Sequence, residues 1–397
     1  MFSDSRIHSI DIAKGLTLII TIFLMDYSKG ILGDWFYGDM PQSGINIAFT
    51  LIISFFFFIS GMTIPFRLSK KISEGQSVYD ILRSVFAISL IMITVGAMLV
   101  NIPRVNKELT GFGPGLWAVI LAVAVFLVWN RYPDRENNFF TVSGLRIAGL
   151  ALLVLLVFKF RSGTYENNGS LITGYWELPG LFGWGFLASS LIWLLMRNSI
   201  SGTLLAAFFF LALNIFSTLG INSLFDPARK YFGVLLDGYI PFIFVSGMLA
   251  GIMIKKNPHD GTNKTALLLL FSGLAVTAAG LLLFFKFIQP AGFYGQPAWA
   301  LIAAGFSMLL FVILFFLFDL RNFGFKARFA EKTGISFFTG YIVAFLFYGV
   351  AQLAGINFQA YHESSSPLLK IGGPALFSLA VTIITLLLSR IGVRLKF

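Results

Sequence analysis

The chain has 397 residues, 57% of them hydrophobic, 16% aromatic and only 12% charged, with a mean hydropathy of +0.83. Soluble domains carry about 25% charged residues, so this composition excludes a water-facing globular surface, a disordered chain and a nucleic-acid-binding domain, despite a formal charge of +11. The absence of cysteine excludes disulfides, thiolate chemistry and Cys-based metal centres.

What remains is an all-α, polytopic integral membrane protein. A spanning helix needs about 20 mostly apolar residues. Twelve segments qualify: 14–31, 45–66, 84–101, 112–130, 140–158, 179–196, 203–219, 232–254, 265–285, 296–318, 334–354 and 373–390. The fifth and seventh are the weakest, being short or interrupted, which leaves about 10–12 transmembrane helices. Continuous apolar runs favour helices over the alternating strands of about ten residues that a barrel would need. The first run lacks a small-residue cleavage site and leads into Asp26 and Lys29, so it is expected to be a retained helix. The polar stretches 67–80, 131–138, 159–177 and 355–370 are too short to bury cores of their own, so residues 1–397 are expected to form a single transmembrane domain.

Charge inside a span costs about 2.5–3.5 kcal/mol at a helix centre, so ionisable groups there are functional candidates. In the first helix, Asp11, Lys14, Asp26 and Lys29 fall within about a third of the circumference at about 100° per residue, with Asp11 and Asp26 about 22 Å apart along the axis. Two readings fit: ion pairs anchoring both helix ends at the headgroups, or one wall of a polar tunnel. The following loop, ILGDWFYGDMPQS, sets Trp35, Phe36 and Tyr37 beside Asp34 and Asp39. That mixture suits a sugar, whose CH faces stack on rings while carboxylates take its hydroxyls; an interfacial aromatic belt is the alternative. Arg104 and Lys107 follow the third helix. Further on, Asp226, Arg229 and Lys230 precede Asp237 in GVLLDGYIPF, where Gly238 and Pro241 predict a broken helix. These groups either bind an anionic or sugar substrate or form a solvated loop and a helix end. Of three histidines, His8 and His259 fall on one side and only His362, in QAYHESSSP, on the other. No zinc-protease, Walker or nucleophile-elbow spacing and no metal cluster is present.

Orientation follows from Lys and Arg. With a cytoplasmic N-terminus, 20 of the 29 fall on the cytoplasmic side and nine on the other. Both termini are therefore expected in the cytoplasm, with an even number of spans.

The N-terminal run Arg6-Ile-His-Ser-Ile-Asp11-Ile-Ala-Lys14-Gly15-Leu resembles the R-x-x-S-x-D-x-x-R/K-G-L opening of membrane acyltransferases of the heparan-alpha-glucosaminide N-acetyltransferase family and its bacterial relatives. The similarity continues through Gly30–Tyr37, the run ending FFFFISG at Gly61, Glu177–Trp184, Phe225-Asp226-Pro227 and the Gly247–Gly251 segment GMLAG. The resemblance implies a multi-pass protein of the bacterial inner membrane. It would use cytoplasmic acyl-CoA (acetyl-CoA) as donor and an extracytoplasmic sugar or glycan as acceptor, with no metal. Arg6, Asp11 and Lys14 would lie at the donor, and Trp35, Tyr37, Arg104, Asp226 and Asp237 on the acceptor side. Asp26 matches an Asn position in the family. The family's catalytic His, in a pattern like W-x-Y-H, has no counterpart in Trp35-Phe36-Tyr37-Gly38-Asp39. The bases available in its place are Asp26, Asp39 and His362. Three functions stay open: an acyltransferase; a degenerate relative serving as a membrane subunit or a glycan- or lipid-binding scaffold; and a transporter coupling through Asp26 and Asp237. Membrane lipids are the expected surroundings, with homo-oligomerisation or a larger membrane complex left open.

Overall fold

The computed structural model describes residues 7–27, 44–132, 139–164, 167–173, 177–256, 262–286, 296–321, 327–356, 359–362 and 364–395. Among these it is almost wholly helical: α1 His8–Tyr27, α2 Gly44–Ser73, α3 Val78–Val100, α4 Lys107–Thr110, α5 Pro114–Trp129, α6 Phe139–Lys159, α7 Leu178–Met196 and α8 Ile200–Thr218. They are followed by α9 Asp226–Leu236, α10 Tyr239–Lys256, α11 Thr262–Lys286, α12 Pro297–Phe315, α13 Arg328–Ile335, α14 Phe337–Leu353, α15 Gln359–His362 and α16 Pro367–Arg390. The strands are the two-residue pairs Ser162–Gly163 and Asn168–Gly169, antiparallel with Ser162 opposite Gly169. In lipid no water can satisfy a bare backbone, which is why such apolar runs fold as helices.

Each of the twelve expected spans meets a helix. Among the described residues, ten helical segments are long and apolar enough to cross a membrane, so the chain is a polytopic helical membrane protein. The fifth and seventh segments form full helices of 21 and 19 residues. The weaker ones are the fourth, only 16 residues long, and the eleventh, where α13 and α14 meet at 81°. The eighth is broken as its Gly and Pro predict. There α9 ends at Leu236 with Asp237 as its C-cap, Gly238 takes φ +70°, and α10 begins at Tyr239. Proline at the first helical turn starts α5, α12 and α16, where its missing N–H is no loss. Ser199 caps α8 by accepting from the Gly202 N–H.

The helices group into two compact units. Unit 1 comprises Met1–Thr17, Pro41–Thr94 and Leu178–Glu331; unit 2 comprises Leu18–Met40, Val95–Glu177 and Lys332–Phe397. In unit 1, α2 and α10 cross at backbone contact. A Cβ at Gly61 would collide with the Phe244 carbonyl, one at Gly247 with that of Phe58, and one at Gly251 with that of Met62. This is a small-residue crossing of the kind that brings membrane helices together. The N-terminus of α1 is fastened within the same unit: the Asp319 carboxylate accepts from the backbone N–H of His8 (2.9 Å) and of Ser9 (3.1 Å). A carboxylate there also complements the positive end of the helix dipole. At the lysine-bearing end of α10, Lys255 Nζ donates to the Pro65 carbonyl.

In unit 2, α5 crosses α14 at Gly115 and Gly349, where a Cβ on Gly349 would lie 2.7 Å from the Gly115 carbonyl oxygen. Arg131 and Arg394 are backbone partners, the Arg131 N–H donating to the Arg394 carbonyl at 2.8 Å. At another site the 104–110 turn holds the 161–163 segment, through the Asn106 N–H to the Arg161 carbonyl (3.0 Å) and Asn106 Nδ2 to the Gly163 carbonyl (2.8 Å).

Candidate catalytic site

The last turn of α1 ends in Met25-Asp26-Tyr27, and unit 2 closes over it. Asp26 is fully buried, a position an acid holds only when its oxygens are satisfied. Both are. The Tyr361 hydroxyl donates to Asp26 Oδ2 at 2.7 Å, and His362 Nε2 lies 3.1 Å from Oδ1. His362 is itself only 8% exposed at the side chain. Tyr361 and His362 are neighbours on the single turn α15, with ring centroids 4.3 Å apart and edge to face.

The turn is seated on α16. A Cβ at Gly373 would collide with the Tyr361 ring, so the bare backbone at that position is what admits the phenol. Helix α16 is in turn tied to α1 by Ser378 Oγ, which donates to the Ile19 carbonyl at 2.7 Å. Burial, then the hydrogen bond to Asp26 and the charge of Asp26, push the Tyr361 phenol above its ordinary range. It therefore stays protonated and can only donate to the carboxylate. Chemically the cluster is an imidazole held against a buried acid, the arrangement that general-base catalysis uses.

Asp26 and His362, read separately from the sequence, are thus brought together across 336 residues of chain. Tyr361 escapes the sequence reading, although it adjoins His362 in QAYHESSSP, because one loop tyrosine has no spacing that marks it. Glu177 is a second buried acid of unit 2. It is 8% exposed and its Oε2 accepts from the Tyr341 hydroxyl at 2.7 Å; nothing in the local sequence marks it as buried.

In unit 1, Asp11 and Lys14 sit on the first turns of α1, each partly buried. Arg67 of α2 is close enough, with Asp11, to act electrostatically on Lys14, and its guanidinium stands 5.7 Å from the Phe186 ring centroid. Asp226 and Asp237 are gathered around one cation. Arg229 Nε donates to Asp226 Oδ1 at 2.7 Å and Nη1 pairs with Asp237, which also accepts from Ser217 Oγ at 2.8 Å. The Asp237 carbonyl accepts from Asn214 Nδ2 at 2.8 Å, so this residue fastens the break between α9 and α10. Arg104 closes its own turn, Nη1 donating to Asn101 Oδ1 at 3.1 Å. Arg6, Trp35, Tyr37 and Asp39, and with them the charge of Lys29, lie outside the described residues.

No protein-family model matches the chain. It is similar to heparan-alpha-glucosaminide N-acetyltransferase of Mus musculus, with 25% identity over an aligned stretch of 195 positions that covers 45% of this chain. The match takes in 27% of the mouse protein's length. The relationship to an N-acetyltransferase is a distant one.

Proposed function

We propose that the protein is a membrane acyltransferase that moves an acetyl or other acyl group from cytoplasmic acyl-CoA to an amine or hydroxyl of an extracytoplasmic sugar or glycan. The observation that carries this reading is the buried Asp26–His362 pair, supported by the likeness to an N-acetyltransferase. The scaffold reading rests on the missing histidine after α1, and His362 supplies an imidazole to that helix from another part of the chain.

In this reading His362 removes the proton of the attacking amine or hydroxyl, and Asp26 orients the ring and offsets its charge. The new acyl–N or acyl–O bond forms as the acyl–S bond breaks. The proton taken by His362 leaves with the thiol product or to solvent. A positioned base of this kind contributes about 10²–10⁴-fold to rate.

Lys14 and Arg67, with Arg6 on the same stretch of chain, hold the phosphates of the donor, and Asp11 orders Lys14. Trp35, Tyr37, Arg104, Asp226 and Asp237 belong to the acceptor side, and Asp39 is the alternative base on the loop after α1. The N- and C-termini face the cytoplasm of a bacterial inner-membrane protein that works as one transmembrane domain.

The test is acetyl-CoA consumption by purified protein in nanodiscs, with glucosamine as trial acceptor. His362→Gln and Asp26→Asn are each expected to lower turnover by about 100-fold or more. Wild-type protein that neither binds nor hydrolyses acetyl-CoA rejects the reading.

A further inference from the structure

A carboxylate rotates about a broad terminal torsion, so a lone Asp beside a histidine does not fix which oxygen the ring meets or which ring nitrogen carries the proton. In unit 2 that freedom is removed. Tyr361 occupies Asp26 Oδ2 and His362 Nε2 faces Oδ1, while the Tyr361 ring is confined by the Gly373 backbone. The phenol has a hydrogen to give, and an ionised carboxylate is acceptor-only. With Oδ2 taken, Oδ1 demands an N–H, and the tautomer of a histidine is set by the bond its other nitrogen makes. Among the described residues no protein group hydrogen-bonds His362 Nδ1.

We propose that Tyr361 is a positioning residue: its hydroxyl holds Asp26 Oδ2, so that Oδ1 receives the Nε2–H of His362 and the ring presents an unprotonated Nδ1 to the nucleophile. The proposal rests on the acyltransferase reading for its chemistry, but its geometry is testable without turnover. Tyr361 itself touches neither donor nor acceptor. Its role is to remove one of two carboxylate orientations and with it the wrong tautomer.

The experiment is NMR of full-length protein, labelled with ¹⁵N-histidine, in lipid nanodiscs at a pH where imidazole is neutral. The chain has three histidines, so His8→Gln and His259→Gln assign the spectrum. In the wild type His362 is expected to carry its proton on Nε2, as a downfield resonance that exchanges slowly with water. Asp26→Asn abolishes that resonance. Tyr361→Phe broadens it and admits the Nδ1–H form, and Gly373→Ala, which crowds the ring but keeps the hydroxyl, does the same. A wild-type proton on Nδ1, or an unchanged spectrum in a folded Tyr361→Phe protein, overturns the proposal; the wild-type result alone decides if the variants do not fold. Acetyl-CoA turnover is measured on the same samples. Tyr361→Phe is expected to lower kcat by between about ten- and a hundredfold with KM unchanged, the scale of a misplaced reacting group. The expected spectrum from a wild type without turnover rejects the acyl-transfer reading and leaves the positioning role standing.

Discussion

Asp26 has no exposed surface, and its two oxygens meet two different donors from one short turn. Residues that act as one unit lose function non-additively. The double variant Asp26→Asn with His362→Gln is therefore expected to be about as inactive as either single variant; additive losses would place the two in separate steps. Tyr361 adds a pH signature. Its phenol is held above the ordinary range of about 10, so the folded state binds that proton more tightly than the unfolded chain does. Its contribution to stability is complete below the ordinary range and is lost as pH rises beyond it. Between neutral pH and the alkaline range, wild-type protein is expected to lose more thermal stability than Tyr361→Phe, as read by melting in detergent. Equal losses would mean that the hydroxyl is not engaged.

Secondary elements were the legible part of the sequence, because a run of about 20 apolar residues has one stable form in lipid. The break at Asp237-Gly238 is visible from Gly and Pro alone. The bend between α13 and α14 is not, since it falls at Ser336, where neither Gly nor Pro marks a break. Nor is the cluster of Asp26, Tyr361 and His362. Asp26 stands out as an acid at the end of a span, but its partners arrive from a loop 335 and 336 residues later, a separation that no local periodicity encodes. The glycines of GMLAG look like family pattern in the sequence; in the fold they let α2 and α10 touch. Replacing Gly247 with Leu is expected to destabilise the protein by about 1–3 kcal/mol or more, the range for overpacking. Gly144 of α6 has open space at its Cβ position, so Gly144→Ala is expected to be neutral or slightly stabilising. Comparable melting losses in the two variants would contradict the close crossing.

At the scale of the molecule, the sequence reading takes the charge of +11 as a record of sidedness. Within unit 2, Arg131 pairs with Arg394 and the 104–110 turn pairs with 161–163, the groupings that a count of Lys and Arg assigns to opposite faces. The cysteine-free chain makes that assignment testable. The exposed residues Glu74 and Ser223 are predicted to lie on the cytoplasmic and outer sides. A membrane-impermeant maleimide should label Ser223→Cys in intact cells and Glu74→Cys only after lysis; the reverse pattern would invert the topology and place the Asp26 cluster on the cytoplasmic side. The most direct test of the central claim is acetyl transfer from labelled acetyl-CoA, supplied on the Lys14 side of proteoliposomes, to an amino sugar on the other side. The account predicts transfer by the wild type and a loss of about 100-fold or more in His362→Gln. Transfer that survives in His362→Gln, or its absence in the wild type, would contradict it.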